Sequence, residues 1–374
     1  MGLYDHINQM LQRVGDGLYL QRTKIGEKQA IRRKSDFIAG VVWTDAQQQE
    51  FDSFWLQHYG QKIPNDWHRL YQKISGVFRV DYFPEFLYST KLEPLINRRA
   101  YCSVFADKSL LYSLYSDISG VHCPEAYLIN SFGTWQGGNA RILSEEKACE
   151  LLSDIGECLF KATLASSGGK SISVADFSGG VDRRTGKTVN DFFRQYGQNF
   201  VVQEKIVPDA VLKQIYPDAL STFRVMTYLA EDHIGHCPLA MRMGVGGMEV
   251  DNITSGGLCV GVRDDGTMRS FACNTRYGDG FDRHFNAHPD TGTVFENVTI
   301  PQIPAMIAAA KRMHEKTPQV GMISWDLSLD DQGEIVLIEA NFYDQSVWFP
   351  QMINGEPLFG EDTEYMLSRI RAGR

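Results

Sequence analysis

Several things are missing from this 374-residue sequence, and each absence narrows what it can be. Its seven cysteines are odd in number and scattered, with no Cys-x-x-Cys pair. That excludes a disulfide-stapled framework and a zinc ribbon, and fits buried thiols in a reducing compartment. No stretch approaches the roughly 20 apolar residues that cross a bilayer. The opening Met1-Gly-Leu-Tyr-Asp-His6 has no basic region followed by an apolar run, so no secretory signal is expected and the cytoplasm is the predicted location. Positive charge is short as well: 37 Lys and Arg against 46 Asp and Glu leave a net charge of −9. Nucleic acid is thereby excluded as the main partner, although a local basic pocket for phosphates is compatible with it. There is no Gly-x-Ser-x-Gly elbow, and His284 and His288 lack the intervening Glu of a zinc-protease helix. His233, His236 and Cys237 have no second ligand pair and read as turn residues.

What is present is an ordinary globular composition, 43% hydrophobic and 22% charged, on a chain long enough for two or three subdomains. Near its end, Ile323-Ser-Trp-Asp326-Leu-Ser-Leu alternates apolar and polar residues. Asp-Asp-Gln-Gly333 follows as turn chemistry, and then comes the β-rich Glu334-Ile-Val-Leu-Ile-Glu339-Ala-Asn341. This predicts a hairpin. A turn centred on Gln332–Gly333 sets Asp326 opposite Glu339, with Asn341 on the same face. Opposed carboxylates repel unless a cation sits between them. Oxygen-only donors suit Mg²⁺, or Mn²⁺, that also keeps waters and phosphate oxygens.

A second hairpin is predicted from Thr222-Phe-Arg224-Val-Met-Thr-Tyr-Leu and Cys237-Pro-Leu-Ala-Met-Arg242-Met-Gly. With its loop near His233, Arg224 and Arg242 face each other. Either an anion bridges the two guanidinium groups, or the register slips and both are solvated. Upstream, Asp107 caps a helix through about Tyr115, a strand covers Ala126–Asn130, and a helix follows Ser144. Cys158-Leu-Phe-Lys161 and Ser171–Phe177 form strands around Ser166-Ser167-Gly168-Gly169-Lys170. This run is not a Walker A loop, because a strand follows where a helix is required; its backbone N–H groups could cover a phosphate. Phe200–Val207 is an apolar strand ending in Gln203-Glu204-Lys205-Ile206, and Ile303–His314 is an amphipathic helix. In the first hundred residues, Thr44-Asp-Ala-Gln47 is a capping box ahead of the Phe51, Phe54 and Trp55 stripe. The basic segment Lys24–Lys34 is either a solvated face or a contact for an anionic partner or membrane surface.

Taken in order, these pieces resemble the ATP-grasp superfamily: Asp107-Lys108, Lys161 before the Gly-rich hairpin, Gln203-Glu204, Asp326, and Glu339-x-Asn341. The closer resemblance is to its sugar-transfer-associated group, through Thr222-Phe-Arg224, Ala240-Met-Arg242-Met-Gly and Asp251-Asn252…Gly256-Gly257. It covers about residues 105–350. The resemblance implies an α+β ATP-grasp fold with a mainly helical N-terminal accessory region: residues 1–104, a nucleotide-binding small lobe at 105–202, and a C-terminal lobe at 203–374. It further implies that Lys108 and Lys161 neutralise ATP phosphates under a Ser166–Gly169 flap, and that Glu204 with the Lys205–Ile206 backbone holds adenine. Asp209 is a ribose contact, and Asp326, Glu339 and Asn341 bind Mg²⁺. Arg224 and Arg242 hold the γ-phosphoryl group and the acyl phosphate made from it, and Asp251, Asn252, Gly256 and Gly257 form a substrate loop. D-alanine–D-alanine ligases place an arginine two residues before the metal Asp; here that position is Ser324. The implied activity is ATP-dependent carboxylate–amine ligation of small molecules, for a cell-surface polysaccharide or sugar conjugate. The alternatives are a small-molecule or sugar kinase and a non-enzymatic, nucleotide-responsive partner of a glycosyltransferase.

Overall fold

A computed structural model describes residues 3–164, 172–248, 251, 256–274 and 284–373, with the side chains of 3–9 and 11–13 left aside. The strands are, in chain order, β1 (Val121–His122), β2 (Ala126–Ser131), β3 (Thr134–Gly137), β4 (Ile142–Leu143), β5 (Gly156–Ala162), β6 (Ile172–Ser178), β7 (Val181–Asp182) and β8 (Phe200–Glu204). They continue with β9 (Thr222–Leu229), β10 (Ile234–His236), β11 (Leu239–Met243), β12 (Leu258–Val262), β13 (Met268–Asn274), β14 (His284–Phe285), β15 (Met322–Leu329) and β16 (Ile335–Asn341). Among the described residues they form two sheets. The smaller runs β4-β3-β2-β8-β5-β6-β7; the larger runs β1-β16-β15-β9-β11-β12-β13-β14, with β10 extending the pairing of β9.

The central strand β15 shows why the large sheet has a polar face. Its odd residues Ile323, Trp325, Leu327 and Leu329 enter one hydrophobic core with Ile303, Met306, Ala310 and Met313 of the helix Ile303–Glu315. Its even residues Ser324, Asp326 and Ser328 are buried on the opposite face. The period of two in the sequence is therefore a true two-faced strand. The turn that follows is built by Asp330, whose Oδ1 accepts from the N–H groups of Gln332 (3.0 Å) and Glu334 (2.9 Å). Gly333 sits there at φ +75°, a conformation that side chains with a Cβ resist.

Residues from 35 to 104 are mostly helical, including Asp45–His58, which begins with the Thr44/Gln47 capping box, and Asp66–Ser75. Phe51, Trp55, Leu87, Tyr88 and Leu92 share a core with Met226, Tyr228, Met322, Leu358, Met366 and Leu367 of the C-terminal lobe. Met226 lies two residues along β9 from Arg224 and on the same side. The N-terminal helices thus cover the far end of the face that carries the polar residues. Asn97 stitches the two together: its amide donates to the carbonyls of Met322 and Phe342 (2.7 Å each) and accepts from Met322 N–H (2.9 Å).

Candidate functional site

Strands β9, β11, β15 and β16 bring their polar side chains to one place. The register sets Asp326 opposite Glu339, the predicted pair, and Ser324 opposite Asn341, but the turn is centred on Gln332, with Leu329 opposite Ile335, and by itself would set Asp326 opposite Ile338. A bulge restores the pair. Between Asp326/Glu339 and Leu327/Leu337 the register shifts by one, leaving Ile338 as a bulge. The bulged carbonyl is used: Lys161 of the small sheet donates to Ile338 O at 3.1 Å.

The arginine hairpin departs from its predicted register by two residues. Arg224 faces Ala240, and Arg242 faces Thr222. The loop closes earlier, with Ala230 N–H bonded to His233 O, and the pairing then shifts again around Cys237-Pro238. Proline has no N–H for the ladder, so a break there is expected. A shift of two keeps both arginines on the same face, diagonal to each other. The anion between them is Asp326. Arg224 Nε lies 2.6 Å from Asp326 Oδ1, and Arg242 Nη2 lies 3.0 Å from Oδ2.

Around this pair the network closes. Asn341 Nδ2 donates to Asp326 Oδ2 at 3.4 Å. Glu339 is held by Lys108 at 3.1 Å and Lys161 at 3.6 Å. Arg242 also reaches Asp251 at 3.5 Å and donates to the Thr222 hydroxyl at 2.7 Å, and that hydroxyl donates to Asp251. Four cations thus meet three carboxylates, leaving one positive charge in excess. Burial pushes the Asp326 carboxyl up, but Arg224 and Arg242 outweigh it and hold the pKa below the ordinary value. Glu339 is likewise depressed by Lys161 and Lys108 against its burial. Burial lowers Lys161 below the usual lysine range, and it raises Asp251 despite Arg242.

A cleft between the sheets, beside this network, is lined by Lys108, Lys161, Val201, Gln203, Leu337 and Ile338. Glu204 stands at the end of β8 with its Oε2 accepting from Glu125 N–H (3.2 Å) and lying 3.0 Å from His122 Nε2. The other His122 nitrogen is 3.3 Å from Asp330 Oδ2. The pairing of His122 with Asp330 had no signal in the sequence, because the two are 208 residues apart and meet only through the parallel pairing of β1 with β16. Lys205 turns away to pair with Glu157 (2.8 Å), and Asp209 caps the helix Ala210–Ile215 by accepting from Val211 N–H (2.7 Å). Gly256 accepts from the Asn274 amide, next to Gly257 ahead of β12. Ser324 is buried and donates to Gln345 Oε1 at 2.6 Å. Ser166, Ser167, Gly168, Gly169 and Asn252 lie outside the described residues.

The donor set fits a hard divalent cation: Asp326, Glu339 and Asn341 are adjacent, oxygen-bearing and next to the lysines. Two lobes with a cleft between their sheets, basic side chains from both, and an acidic hairpin beneath define an ATP-grasp architecture, a fold whose members bind ATP. The family model of sugar-transfer associated ATP-grasp proteins matches residues 87–365. The chain belongs to that family.

Solved structures that it resembles include the D-Ala:D-Ser ligase VanG of Enterococcus faecalis, at 14% identity and TM-score 0.40, covering 71% of this chain and 61% of that one. Another is the biotin carboxylase domain of Hydrogenobacter thermophilus 2-oxoglutarate carboxylase, determined with MgADP and bicarbonate, at 14% identity and TM-score 0.41, covering 75% and 48%. A third is the N5-carboxyaminoimidazole ribonucleotide synthetase of Thermotoga maritima, at 12% identity and TM-score 0.37, covering 72% and 56%. This chain therefore spans about half to three-fifths of the length of these proteins, and the likeness is one of fold. No curated protein is detectably similar in sequence. Among the described residues, no helix is long and apolar enough to cross a membrane.

Proposed function

We propose that the chain is an ATP-dependent carboxylate–amine ligase that works through an acyl phosphate on small, sugar-linked substrates in cell-surface polysaccharide or conjugate synthesis. The observation that carries this reading is the convergence of Arg224 and Arg242 on Asp326, beside a Glu339 held by Lys108 and Lys161. Phosphate oxygens compete for those four cations and release the two carboxylates. Asp326, Glu339 and Asn341 would then hold Mg²⁺ or Mn²⁺, which neutralises charge on the transferring phosphoryl group.

The chemistry is then positioning and charge stabilisation. A substrate carboxylate oxygen attacks the γ-phosphorus, and the bond to ADP breaks. An amine nitrogen next attacks the acyl carbon, phosphate leaves, and the nitrogen loses a proton. Arg224 and Arg242 are proposed to grip the transferring group and the acyl phosphate, Lys108 and Lys161 the inner phosphates, and Gln203, Glu204 and the Lys205–Ile206 backbone the base. Asp209 is proposed at the ribose. The 251–257 loop, with Asp251 tied to Arg242, lies on the substrate side.

Ser324 favours a second reading. Its hydroxyl is committed to Gln345, so no cation occupies the position from which D-alanine–D-alanine ligases supply one. A sugar or small-molecule kinase on the same scaffold needs no such group. ADP release with Mg-ATP against pooled sugar acids, amino acids and amines separates the two readings. Turnover that requires a carboxylate and is trapped by hydroxylamine as a hydroxamate supports the ligase. Turnover on a hydroxyl compound alone, giving a hydroxylamine-stable phosphate, makes it a kinase. ATP binding without turnover on any pool defeats both.

A further inference from the structure

The long N-terminal helix Leu3–Arg32 has one side docked and one side bare. On the docked side, Tyr19, Thr23, Glu27, Ala30 and Ile31 are half-buried. The Tyr19 ring lies against the Arg99 guanidinium at 3.9 Å, and Ile31 joins the core around Trp67 and Tyr71. Just beyond the helix, Lys34 is locked between the Trp67 and Trp348 rings, at 4.7 and 4.5 Å. The rotation of the helix about its axis is therefore set.

Met10, Val14, Leu18 and Ile25 are 65%, 52%, 69% and 56% exposed. At 3.6 residues per turn these four fall within an arc of about 80°. Lys28 and Arg32 continue the same arc, exposed Arg22 borders it on one side, and half-buried Lys24, at the edge of the docked side, borders it on the other. The acids Asp16 and Glu27 project to the opposite side. Exposed Gln21 and Gln29 share this face, but among the described residues every charged neighbour of the stripe is a cation, on a chain whose overall charge is −9, which suits an anionic lipid surface.

We propose that the helix Leu3–Arg32 docks this protein on an anionic bilayer, with Met10, Val14, Leu18 and Ile25 in the acyl boundary and Arg22, Lys24, Lys28 and Arg32 among the headgroups. Charge complementarity selects this occupant. A second copy of the same helix would oppose cations with cations along both edges of the seam, where paired helices use opposite signs. A nucleic acid would leave the apolar arc without a partner.

The test is co-flotation of the full chain with vesicles of phosphatidylcholine, with and without phosphatidylglycerol. Binding at least roughly 10-fold tighter to the phosphatidylglycerol vesicles is expected, weakening as salt is raised. Val14→Asp/Leu18→Asp should lower it on the order of 10-fold or more, and Arg22→Glu/Lys28→Glu similarly. Unchanged melting temperature and ATP binding in both variants show that the fold is intact; none of these residues belongs to the nucleotide site, so the result is independent of the ligase reading. Equal binding to both vesicle types, or binding indifferent to either double variant, overturns the proposal. So does the absence of vesicle binding, and a concentration-dependent dimer that Leu18→Asp dissolves would then assign the stripe to a second copy.

Discussion

Lys161 is 5% exposed, and its charge survives burial only because Glu339 and the bulged Ile338 carbonyl receive it. It reaches from the small sheet to the floor of the large one, so its loss affects both charge and lobe geometry. Lys161→Met keeps most of the volume and removes the cation. ATP turnover should fall roughly 10²–10³-fold, the scale of losing one preorganised electrostatic partner. The same substitution removes the largest cationic influence on Glu339, so that carboxyl rises toward or past its ordinary value. The wild-type Glu339 contribution is present above the ordinary carboxylate pKa and is lost as pH falls through the lowered one. In Lys161→Met the acid limb of the pH profile of kcat/KM for ATP, which reports the free enzyme, should therefore move to higher pH. An acid limb that stays in place would show that Glu339 is not the group being titrated.

At the scale of elements, the acidic hairpin was legible because it obeys local rules. Asp330 and Gly333 are turn residues, and the odd/even alternation of β15 survives folding. The Ile338 bulge was not legible, since it follows the apolar run Ile335-Val-Leu337 and an extra residue at the end of such a run has no local signature. The arginine register failed by two because the early loop moved the pairing by three and the break at the proline moved it back by one, and both arginines kept their face only because the net shift was even. The support under the hairpin was hidden for another reason: it comes from 225 and 245 residues away. Asn97 makes three buried hydrogen bonds to the ends of β15 and β16. Asn97→Leu leaves those backbone groups unpaired and should cost about 2–4 kcal/mol, seen as a lower urea midpoint. Glu93, nearby, accepts from Gln345 N–H at 3.1 Å in the loop after β16. Burial pushes its carboxyl up to about 7. A carboxyl raised in the folded state costs stability as pH climbs from the unfolded pKa, near 4.5, to about 7. Melting temperature should fall across that window in the wild type and fall less in Glu93→Gln, which keeps an acceptor oxygen. Identical slopes would remove Glu93 from the account.

For the whole molecule, the family and the two-lobed fold were legible from motif order, because each motif sits at a strand end or hairpin that the topology then gathers. What joins the lobes was not. His122 belongs to the large sheet through β1, Glu204 closes β8 in the small sheet, and Asp330 forms the hairpin turn. The imidazole therefore bridges the lobes where the chain passes between them. Burial lowers its pKa, yet hydrogen bonds and charge from Asp330 and Glu204 prevail, and it lies above the ordinary histidine value near 6.5. A histidine raised in this way contributes fully below the unfolded pKa, and the contribution fades as pH rises through the raised one. The lobes should accordingly be clamped most firmly on the acid side of neutrality and loosen above it. Hydrogen exchange at Val201–Glu204, corrected for intrinsic rates, should then accelerate with rising pH in the wild type. In His122→Gln, which can still donate but cannot charge, the corrected rates should be flat and close to the wild-type values at high pH. If the two proteins show the same pH slope, the lobes are held together by something other than this histidine.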